Sequence, residues 1–340
     1  MRPDLPSSPD HAEIHALLCR RFASAAADHP GAILVEGPTR VGRYSRIFRA
    51  QVPGLPTPLV VKCLVDPATG GPDRVSARNQ FDVLERVHRA MRVPDPFFRV
   101  PVPYFLAEGD GVVAAEWVEG KPMTDFFLSR GLTLERGRDL FRSAAVWIRR
   151  FFALRPLPPA PIDMPTLLEG IEAMEHTPLS RFRSASAALA ELRRHAEAAA
   201  GFPLERSWLH GDFKADNLLV DDASMVGIDL HARYENLVVH DLASFVNHWE
   251  LMVCDPRALR WRRHREELVR EFLDAFDPGY LRERRLPYRW IALYGMLGIW
   301  EEFTRRRKRT LRHVYLSACF RHVVRRMTRE LAEAAGEHAR

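Results

Sequence analysis

One twelve-residue stretch, LHGDFKADNLLV (Leu209–Val220), concentrates side chains that can do acid–base and metal chemistry. Asp212 offers a carboxylate that can accept a proton, and Asn217, five residues later, offers an amide oxygen. Asp229 follows Asn217 by twelve residues, at the end of a second short apolar run. Mg²⁺ favours oxygen ligands, and one or two carboxylates are usual. The spacing therefore predicts a proton acceptor at Asp212 and metal ligands at Asn217 and Asp229.

Three motifs occur in a characteristic order. His210 to Asn217 reads HGDFKADN, Ile228 to Leu230 reads IDL, and Asp241 to Ala243 reads DLA. With these motifs the chain resembles the aminoglycoside phosphotransferase and choline-kinase-like branch of the protein-kinase-like fold. The three match that family's HGDxxxxN loop, its metal-binding ID and its DLA helix start, and the resemblance extends over residues 34–245.

The resemblance implies an α+β, two-lobed protein-kinase-like fold. A small N-terminal lobe with an antiparallel β-sheet and one helix is expected over residues 1–115, on the nucleotide-phosphate side. A hinge is expected at 116–121. Residues 122–340 should form a larger, mostly helical C-terminal lobe that carries the catalytic loop 210–217 and the metal-binding Asp229.

The implied activity is that of an ATP- and Mg²⁺-dependent kinase that phosphorylates a hydroxyl of a small molecule or glycan. A lipopolysaccharide-core-type sugar kinase is one alternative within this class. A catalytically weak pseudokinase that binds nucleotide or acts as a scaffold is the alternative from another class. A protein kinase is disfavoured, because the eleven residues between Asp229 and Asp241 leave no room for the usual activation loop.

Within the catalytic loop the resemblance assigns Asp212 to the acceptor hydroxyl. Lys214 would neutralise the transferring phosphoryl group, or would merely form a surface ion pair with Asp216. Only four of the 50 basic residues are Lys, which favours a specific role for those that remain. His210 and Asp241 are expected to support the loop, and Asp241 also suits a helix N-cap.

Lys62 lies in an apolar strand, VVKCL, where an unpaired ammonium would be costly to bury. It resembles the strand lysine that contacts the ATP phosphates in kinases. Its usual partner is a Glu on the following helix. Alignment to the family pattern places Gln80 there, and Glu85 is the other candidate, on a different helix face.

The phosphate-covering loop is expected at Glu36–Ser45. Gly37 and Gly42 would allow close backbone approach to phosphates, with added charge from Arg40 or Arg43. The segment lacks a GxGxxG pattern, so a plain hairpin turn is the alternative.

Adenine is expected to meet the backbone of the hinge segment AEWVEGKPM, Ala115–Met123. The contacting groups would lie around Glu116, Trp117 and Val118. The indole of Trp117 is equally suited to the core.

The chain carries a net charge of +6, but residues 256–340 contain 20 Arg, one Lys and 11 Asp or Glu, a local balance of +10. This surface suits an anionic substrate or lipid, or is simply a set of solvated helix faces. It disfavours a polycationic acceptor unless Glu301 and Glu302 form an acidic pocket. A nucleic-acid partner is not expected, because RNA-binding motifs and zinc fingers are missing. The run Arg305–Arg309 either contributes to binding an anionic acceptor or merely keeps the helix soluble.

Three strand-like segments, a helix at 75–91 and two further strands around the turn EGDG predict a five-stranded antiparallel sheet that would position Lys62. From residue 121 onward the periodicity is helical, with short strands at NLLV and SMVGIDL. A Pro-rich break at 155–165 is expected to be a surface linker. The helical segments are predicted at 10–27, 134–154, 164–176, 181–199, 241–251, 258–276, 287–305 and 309–335.

The apolar stretch Trp290–Trp300 is too short to cross a bilayer and should form a buried helix. The first residues lack the apolar core of a signal peptide. The four cysteines are far apart in sequence and form no CxxC pair, which favours free thiols and a cytoplasmic location.

Overall fold

The computed structural model describes residues 10–23, 32–42, 45–91, 97–230, 235–305 and 310–338. The fold is mixed α+β, as predicted, and it divides into two compact units. One unit consists of Met1–Gly120 and Asp221–His231, and the other consists of Lys121–Val220 and Ala232–Arg340. The division after Gly120 falls within the predicted hinge. The segment that carries Asp229, however, belongs to the first unit, whereas the sequence analysis had placed it with the C-terminal helices.

A five-stranded antiparallel sheet forms the centre of the first unit, as predicted. Its order is β1, β2, β3, β6, β5, and a short parallel pair is formed by β4 and β11. The strands of this unit are β1 (Leu34–Val41), β2 (Ser45–Gln51), β3 (Leu59–Leu64), β4 (Phe98–Arg99), β5 (Pro103–Ala107), β6 (Val112–Glu116) and β11 (Met225–Gly227).

Both faces of this sheet are covered by helices. Ile14 and Leu18 of the first helix pack with Val61 on one face. Leu64 packs with the second helix on the other face. Because strand side chains alternate, Lys62 projects to the same face as Leu64. The helices are α1 (His11–Arg21) and α2 (Arg74–Met91).

The second unit is mostly helical. Its short strands form an antiparallel pair, β7 with β10, and a three-stranded sheet in the order β12, β9, β8. Its elements are β7 (Lys121–Pro122), α3 (Met123–Leu128), α4 (Leu134–Ala153), β8 (Leu157–Ala160), α5 (Met164–Glu175), α6 (Arg183–Arg194), α7 (Ala196–Ala200), β9 (Leu204–Trp208), β10 (Leu218–Val220), β12 (Glu235–Leu237), α8 (Val239–Met252), α9 (Arg265–Phe276), α10 (Tyr280–Arg305) and α11 (Leu311–His338).

Stacked aromatic rings form the core beneath the loop that follows β9. Phe213 of this loop is fully buried. Its ring lies 5.9 Å from that of Trp147 and 5.2 Å from that of Phe245. Phe245 stacks in turn on Phe272 at 4.5 Å. The loop is therefore fixed by a large apolar side chain that reaches into helices α4, α8 and α9.

The Pro-rich break at 155–165 is not simply a linker, because it contains strand β8. This strand pairs with β9 at Leu157 and Ala160. It lies at the edge of its sheet, which is where prolines are tolerated in a strand. The proline content concealed the strand in the sequence.

The stretch Trp290–Trp300 lies within α10, and most of its side chains are buried, as predicted. None of the described helices is long and apolar enough to cross a membrane.

Buried ion pairs hold the C-terminal helices together. The Glu250 carboxylate, whose side chain is 4% exposed, lies 2.6 Å from the Arg265 guanidinium and 2.7 Å from that of Arg326. Glu330 lies 2.6 Å from Arg289 and 3.2 Å from Arg326. Much of the positive charge in this region is therefore compensated within the unit.

Removal of the Glu250 charge should be strongly destabilising. We expect Glu250→Gln to lower the free energy of unfolding by about 3 kcal/mol, because Arg265 and Arg326, which are largely removed from solvent, each lose their most buried carboxylate partner. Glu266→Gln is the matched control, since Glu266 contacts the same Arg265 but is 72% exposed. The control should cost less than about 0.5 kcal/mol by urea denaturation. Equal losses in the two variants would contradict this account.

Candidate active site

Lys62 and Asp229 form an ion pair within the first unit. The Lys62 ammonium donates to Asp229 Oδ1 at 2.8 Å, and both side chains are only partly exposed. Strand β3 fixes the Lys62 backbone, since its neighbours Val61 and Cys63 are fully buried. The two residues lie 167 positions apart in the sequence. The fold therefore brings together two charged residues that the sequence had identified separately as site candidates.

The backbone of Asp229 is in the left-handed region, with φ of 57°. Asp229 is the only described residue other than glycine with a positive φ. This conformation costs about 1–2 kcal/mol in an L-residue, although Asp tolerates it better than most. Strained backbone of this kind is concentrated at functional sites. The strain fixes the direction in which the carboxylate leaves the chain after strand β11.

Helix α2 does not supply the partner of Lys62. In the described part of the chain, Lys62 forms no hydrogen bond or ion pair with Gln80 or Glu85. Glu85 instead forms an ion pair with Arg89, one turn along the helix. The expectation that Gln80 supports the lysine is therefore not met, because Asp229 compensates the charge directly.

The hinge segment has its first two amides engaged in the sheet. The Glu116 N–H donates to Val102 O at 2.8 Å, and the Trp117 N–H donates to Pro58 O at 2.8 Å. The buried Glu116 carboxylate accepts from the Arg99 guanidinium at 2.6 and 3.0 Å. Among the described residues, the next amide, that of Val118, has no backbone acceptor. It is therefore one of the hinge amides that could donate to a ligand.

Gly37 lies within strand β1, so the segment 36–45, expected as a phosphate-covering loop or a plain hairpin turn, belongs to the β1–β2 hairpin. The pairing of β1 with β2 is irregular between Glu36 and Arg40. At Gly37 φ is 117°, and a Cβ would lie 2.4 Å from the Thr39 nitrogen, so only glycine fits. The N–H of Gly42 donates to Ser45 O at 2.8 Å, which makes a hairpin. Arg43 lies outside the described residues.

Two backbone amides anchor the start of the loop after β9 to helix α8. The Asp241 carboxylate accepts from the His210 N–H at 2.5 Å and from the Gly211 N–H at 3.1 Å. Asp241 lies in the first turn of α8 and is not its N-cap. His210 is fully buried, and its ring packs near those of Trp147 and Phe213. The contacts of both residues are those of loop supports.

Asp212, Lys214 and Asn217 form one hydrogen-bonded cluster. The Lys214 ammonium donates to Asp212 Oδ2 at 2.6 Å, and Asn217 Nδ2 donates to the same oxygen at 2.9 Å. Asn217 Nδ2 also donates to the Asp212 carbonyl at 2.8 Å. The alternative pairing of Lys214 with Asp216 is wrong, because Lys214 reaches back to Asp212.

This cluster contains side chains that can accept a proton and bind a cation. The partly exposed Asp212 carboxylate can accept a proton from a hydroxyl. Because the Asn217 amide nitrogen is engaged by Asp212, the Asn217 Oδ1 oxygen is left as a ligand for a hard cation. Among the described residues, no group of three or more His, Cys, Asp and Glu side chains is placed to hold a metal.

A cavity of about 800 Å³ adjoins the loop within the second unit. Ala215 and Asp216 form part of its wall, and helices α3, α8 and α11 supply most of the rest. Sequence analysis missed it, because its walls come from segments up to 200 residues apart. The glutamates proposed as an acidic pocket, Glu301 and Glu302, do not line it, and Glu301 pairs with Arg305.

The model of the phosphotransferase enzyme family (APH) matches residues 46–294. The chain matches no curated protein sequence.

Solved kinases share the fold at low sequence identity. A choline/ethanolamine kinase family protein from Mesorhizobium loti has a TM-score of 0.58 and 15% identity, over 96% of this chain and 99% of that one. Amicoumacin kinase hAmiN, in complex with AMP-PNP, Ca²⁺ and Ami, has a TM-score of 0.55 and 11% identity, over 93% and 96%. Glucosamine kinase, in complex with glucosamine, ADP and inorganic phosphate, has a TM-score of 0.53 and 17% identity, over 96% and 84%.

The carboxyl group of Asp241, which anchors the loop 210–217, is expected to make the free energy of unfolding depend on pH. Burial raises the pKa of Asp241 to about 7, although the His210 and Gly211 amides act in the opposite direction. A carboxyl whose pKa rises on folding stabilises the fold at low pH, and this contribution is lost as the pH rises through about 7. Relative to Asp241→Asn, the wild type should therefore lose stability between about pH 4 and pH 8.

Urea denaturation of both proteins across this pH range measures the effect. Asp222→Asn serves as the control, because Asp222 is exposed, and its difference from wild type should stay flat. If the stability of the wild type relative to Asp241→Asn instead increased with pH, the two backbone amides would be holding Asp241 in its ionised form.

Proposed function

Because this chain belongs to the phosphotransferase enzyme family, we propose that it transfers the γ-phosphoryl group of ATP to a hydroxyl of a small molecule or glycan, with Mg²⁺ as cofactor. The observation that carries the proposal is the cluster of Asp212, Lys214 and Asn217, in which a carboxylate is held by an ammonium and by the nitrogen of a side-chain amide. Two of the similar kinases contain AMP-PNP or ADP, which supports a nucleotide donor.

The first unit is the proposed nucleotide side. Lys62 would exchange Asp229 for a phosphate oxygen, where its compact ammonium acts as a point charge. Asp229 would then be available as a carboxylate ligand. The Val118 amide, which has no backbone acceptor in the described part of the chain, would donate to adenine. Gly37 and Gly42 would bring the β1–β2 hairpin close to the phosphates.

The second unit is the proposed acceptor side. Asp212 would orient the acceptor hydroxyl and take its proton as the new oxygen–phosphorus bond forms. Lys214, already paired with Asp212, would offset charge on the transferring group. Asn217 and Asp229 are the residues that would hold Mg²⁺. When bound, Mg²⁺ would neutralise charge on the phosphate oxygens.

A pseudokinase is the rival proposal. The lack of a Glu partner for Lys62 on helix α2 supports it. Against it stand the intact Asp212, Asn217 and Asp229, which are the side chains that transfer would use. The two proposals differ in turnover, because a pseudokinase would bind nucleotide without transfer.

The cellular site of the proposed reaction follows from the thiols. The cysteines are free, and Cys63, Cys254 and Cys319 are buried. Free thiols fit a reducing compartment. A cytoplasmic location, where ATP is plentiful, is therefore part of the proposal.

An anionic acceptor or lipid held by the Arg-rich C-terminal region is less well supported. Ion pairs within the unit engage Arg265, Arg289 and Arg326. Of the basic run, Arg305 pairs with Glu301, and residues 306–309 lie outside the described residues.

The transfer step is tested by Asp212→Asn. We expect nucleotide affinity to be unchanged and the transfer rate to fall by about 10²–10⁴-fold, because Asn cannot accept the proton. The assay is ADP release over a panel of sugars, amino alcohols, nucleosides and lipopolysaccharide fragments. Asp222→Asn, with an exposed carboxylate ten residues away, should match wild type. Turnover in wild type with an unimpaired Asp212→Asn would remove Asp212 from the reaction, and an inactive wild type that binds ATP would favour the pseudokinase.

The metal role of Asp229 is tested by nucleotide-induced stabilisation. For Asp229→Ala we expect loss of most of the rise in melting temperature that Mg·ATP causes in wild type, because the carboxylate ligand is gone. Each protein is compared with its own ligand-free melting temperature, since the variant also leaves Lys62 unpaired. Asp222→Ala is the control. An equal Mg²⁺-dependent rise in Asp229→Ala and wild type would exclude the assigned role.

A further inference from the structure

The cavity beside the catalytic loop has the size of a small-molecule site. Its volume of about 800 Å³ is within the range of ligand pockets, roughly 300–1,000 Å³. Ala215 and Asp216, which belong to the loop that carries Asp212 and Asn217, form part of its wall, although Asp212 itself does not line it. The cavity is thus the space next to Asp212 into which the rest of an acceptor molecule could extend.

Most of the cavity wall is apolar. Leu128 and Met252 contribute from helices α3 and α8, and Leu311 and Leu316 contribute from helix α11. An acceptor made only of hydroxyl and amino groups would leave these walls without a matching surface. A ligand with an apolar portion would bury them.

The charges of the wall compensate one another. The Asp255 carboxylate accepts from the Arg257 guanidinium at two points, both 3.1 Å, and this contact lowers the Asp255 pKa. The remaining charges are the Asp216 carboxylate beside the loop and the Arg312 guanidinium on helix α11. One negative and one positive group do not form a site for a polycation, which would require an excess of carboxylates.

The start of helix α11 exposes apolar side chains at the edge of this cavity. Leu311 is 91% exposed and lines the cavity, as does the partly exposed Tyr315. Val314, on the same turn, is 63% exposed but does not line it. Clustered exposed apolar side chains commonly mark a binding surface. Their position at the cavity rim associates that surface with the ligand of the cavity.

We propose that the acceptor is an amphipathic molecule, with a hydroxyl-bearing head beside Asp216 and an apolar chain or ring system along Met252 and Leu311. The inference rests on the proposed kinase function for the identity of the ligand as the acceptor. It goes beyond that function by assigning the acceptor to apolar-substituted hydroxyl compounds and by excluding polycations. Leu311 is the proposed specificity residue, because it lines the cavity and its apolar side chain is 91% exposed.

Binding of a matched pair of probes tests the inference directly. Methyl and n-octyl β-D-glucopyranoside share a head group and differ in the apolar chain. We expect the octyl compound, kept below its micelle concentration, to bind to wild type at least about tenfold more tightly, because its chain is removed from water. Calorimetric titration gives both affinities without any requirement for phosphoryl transfer.

Two variants separate the cavity from the surrounding surface. Leu311→Asn should remove most of the octyl preference, whereas Val314→Asn should keep it, since both residues are exposed and only Leu311 lines the cavity. Equal affinity for the two probes, binding of neither, or equal effects of the two variants would overturn the proposal. Loss of self-association in Leu311→Asn, without an octyl preference in wild type, would identify the patch as a protein interface instead.

The test distinguishes this inference from the proposed function. Octyl-selective binding by a protein that never consumes ATP would leave the cavity assignment standing and would reject the kinase. ATP-dependent phosphorylation of short polar acceptors, with no preference for the octyl compound, would support the kinase and reject the cavity assignment.

Discussion

The ion pair between Lys62 and Asp229 is the interaction on which the account of the nucleotide side depends. It places a charged group from an otherwise apolar strand next to a carboxylate that follows a strand 160 residues later. A half-buried pair of this kind is costly to break by removing one partner, because the other charge is left behind. It can, however, be exchanged for equivalent contacts. A nucleotide phosphate would replace the anion for Lys62, and a hard cation would replace the ammonium for Asp229, so a stabilising contact can also be the site of binding.

The loop 210–217 of the second unit holds the Asp212 carboxylate partly exposed on a fixed backbone. Phe213 fixes the loop from below by stacking on Trp147 and Phe245. Asp241 fixes it from the side through two backbone amides. With the backbone held, Lys214 and Asn217 set the position of the Asp212 carboxylate. The position of the proposed catalytic groups thus depends on apolar burial and on one buried acid, which is the kind of preorganisation that catalysis needs.

Local patterns predicted the fold better than they predicted contacts. The antiparallel sheet, the buried helix at Trp290–Trp300 and the motif loop were predictable, because strand alternation, helical periodicity and motif spacing are encoded in neighbouring residues. The partner of Lys62 was not predictable from the same information, because Asp229 lies 167 positions away in the sequence, much farther than Gln80, and only the folded first unit brings it to the lysine. Strand β8 was concealed by its prolines, whose tolerance depends on an edge position. The cavity beside Asp216 was invisible for the same reason, as its walls are assembled from distant segments.

The most direct test of the central claim is the environment of the Lys62 ammonium. Lys62 is one of only four lysines, so its side-chain resonance can be assigned by comparison with Lys62→Arg in lysine-labelled protein. The account predicts that this resonance moves when Mg²⁺ and AMP-PNP are added together, as Lys62 leaves Asp229 for a phosphate, and that Asp229→Asn alone also moves it. A Lys62 resonance that stays in place at saturating Mg²⁺ and AMP-PNP would contradict the claim that this ion pair marks the nucleotide site.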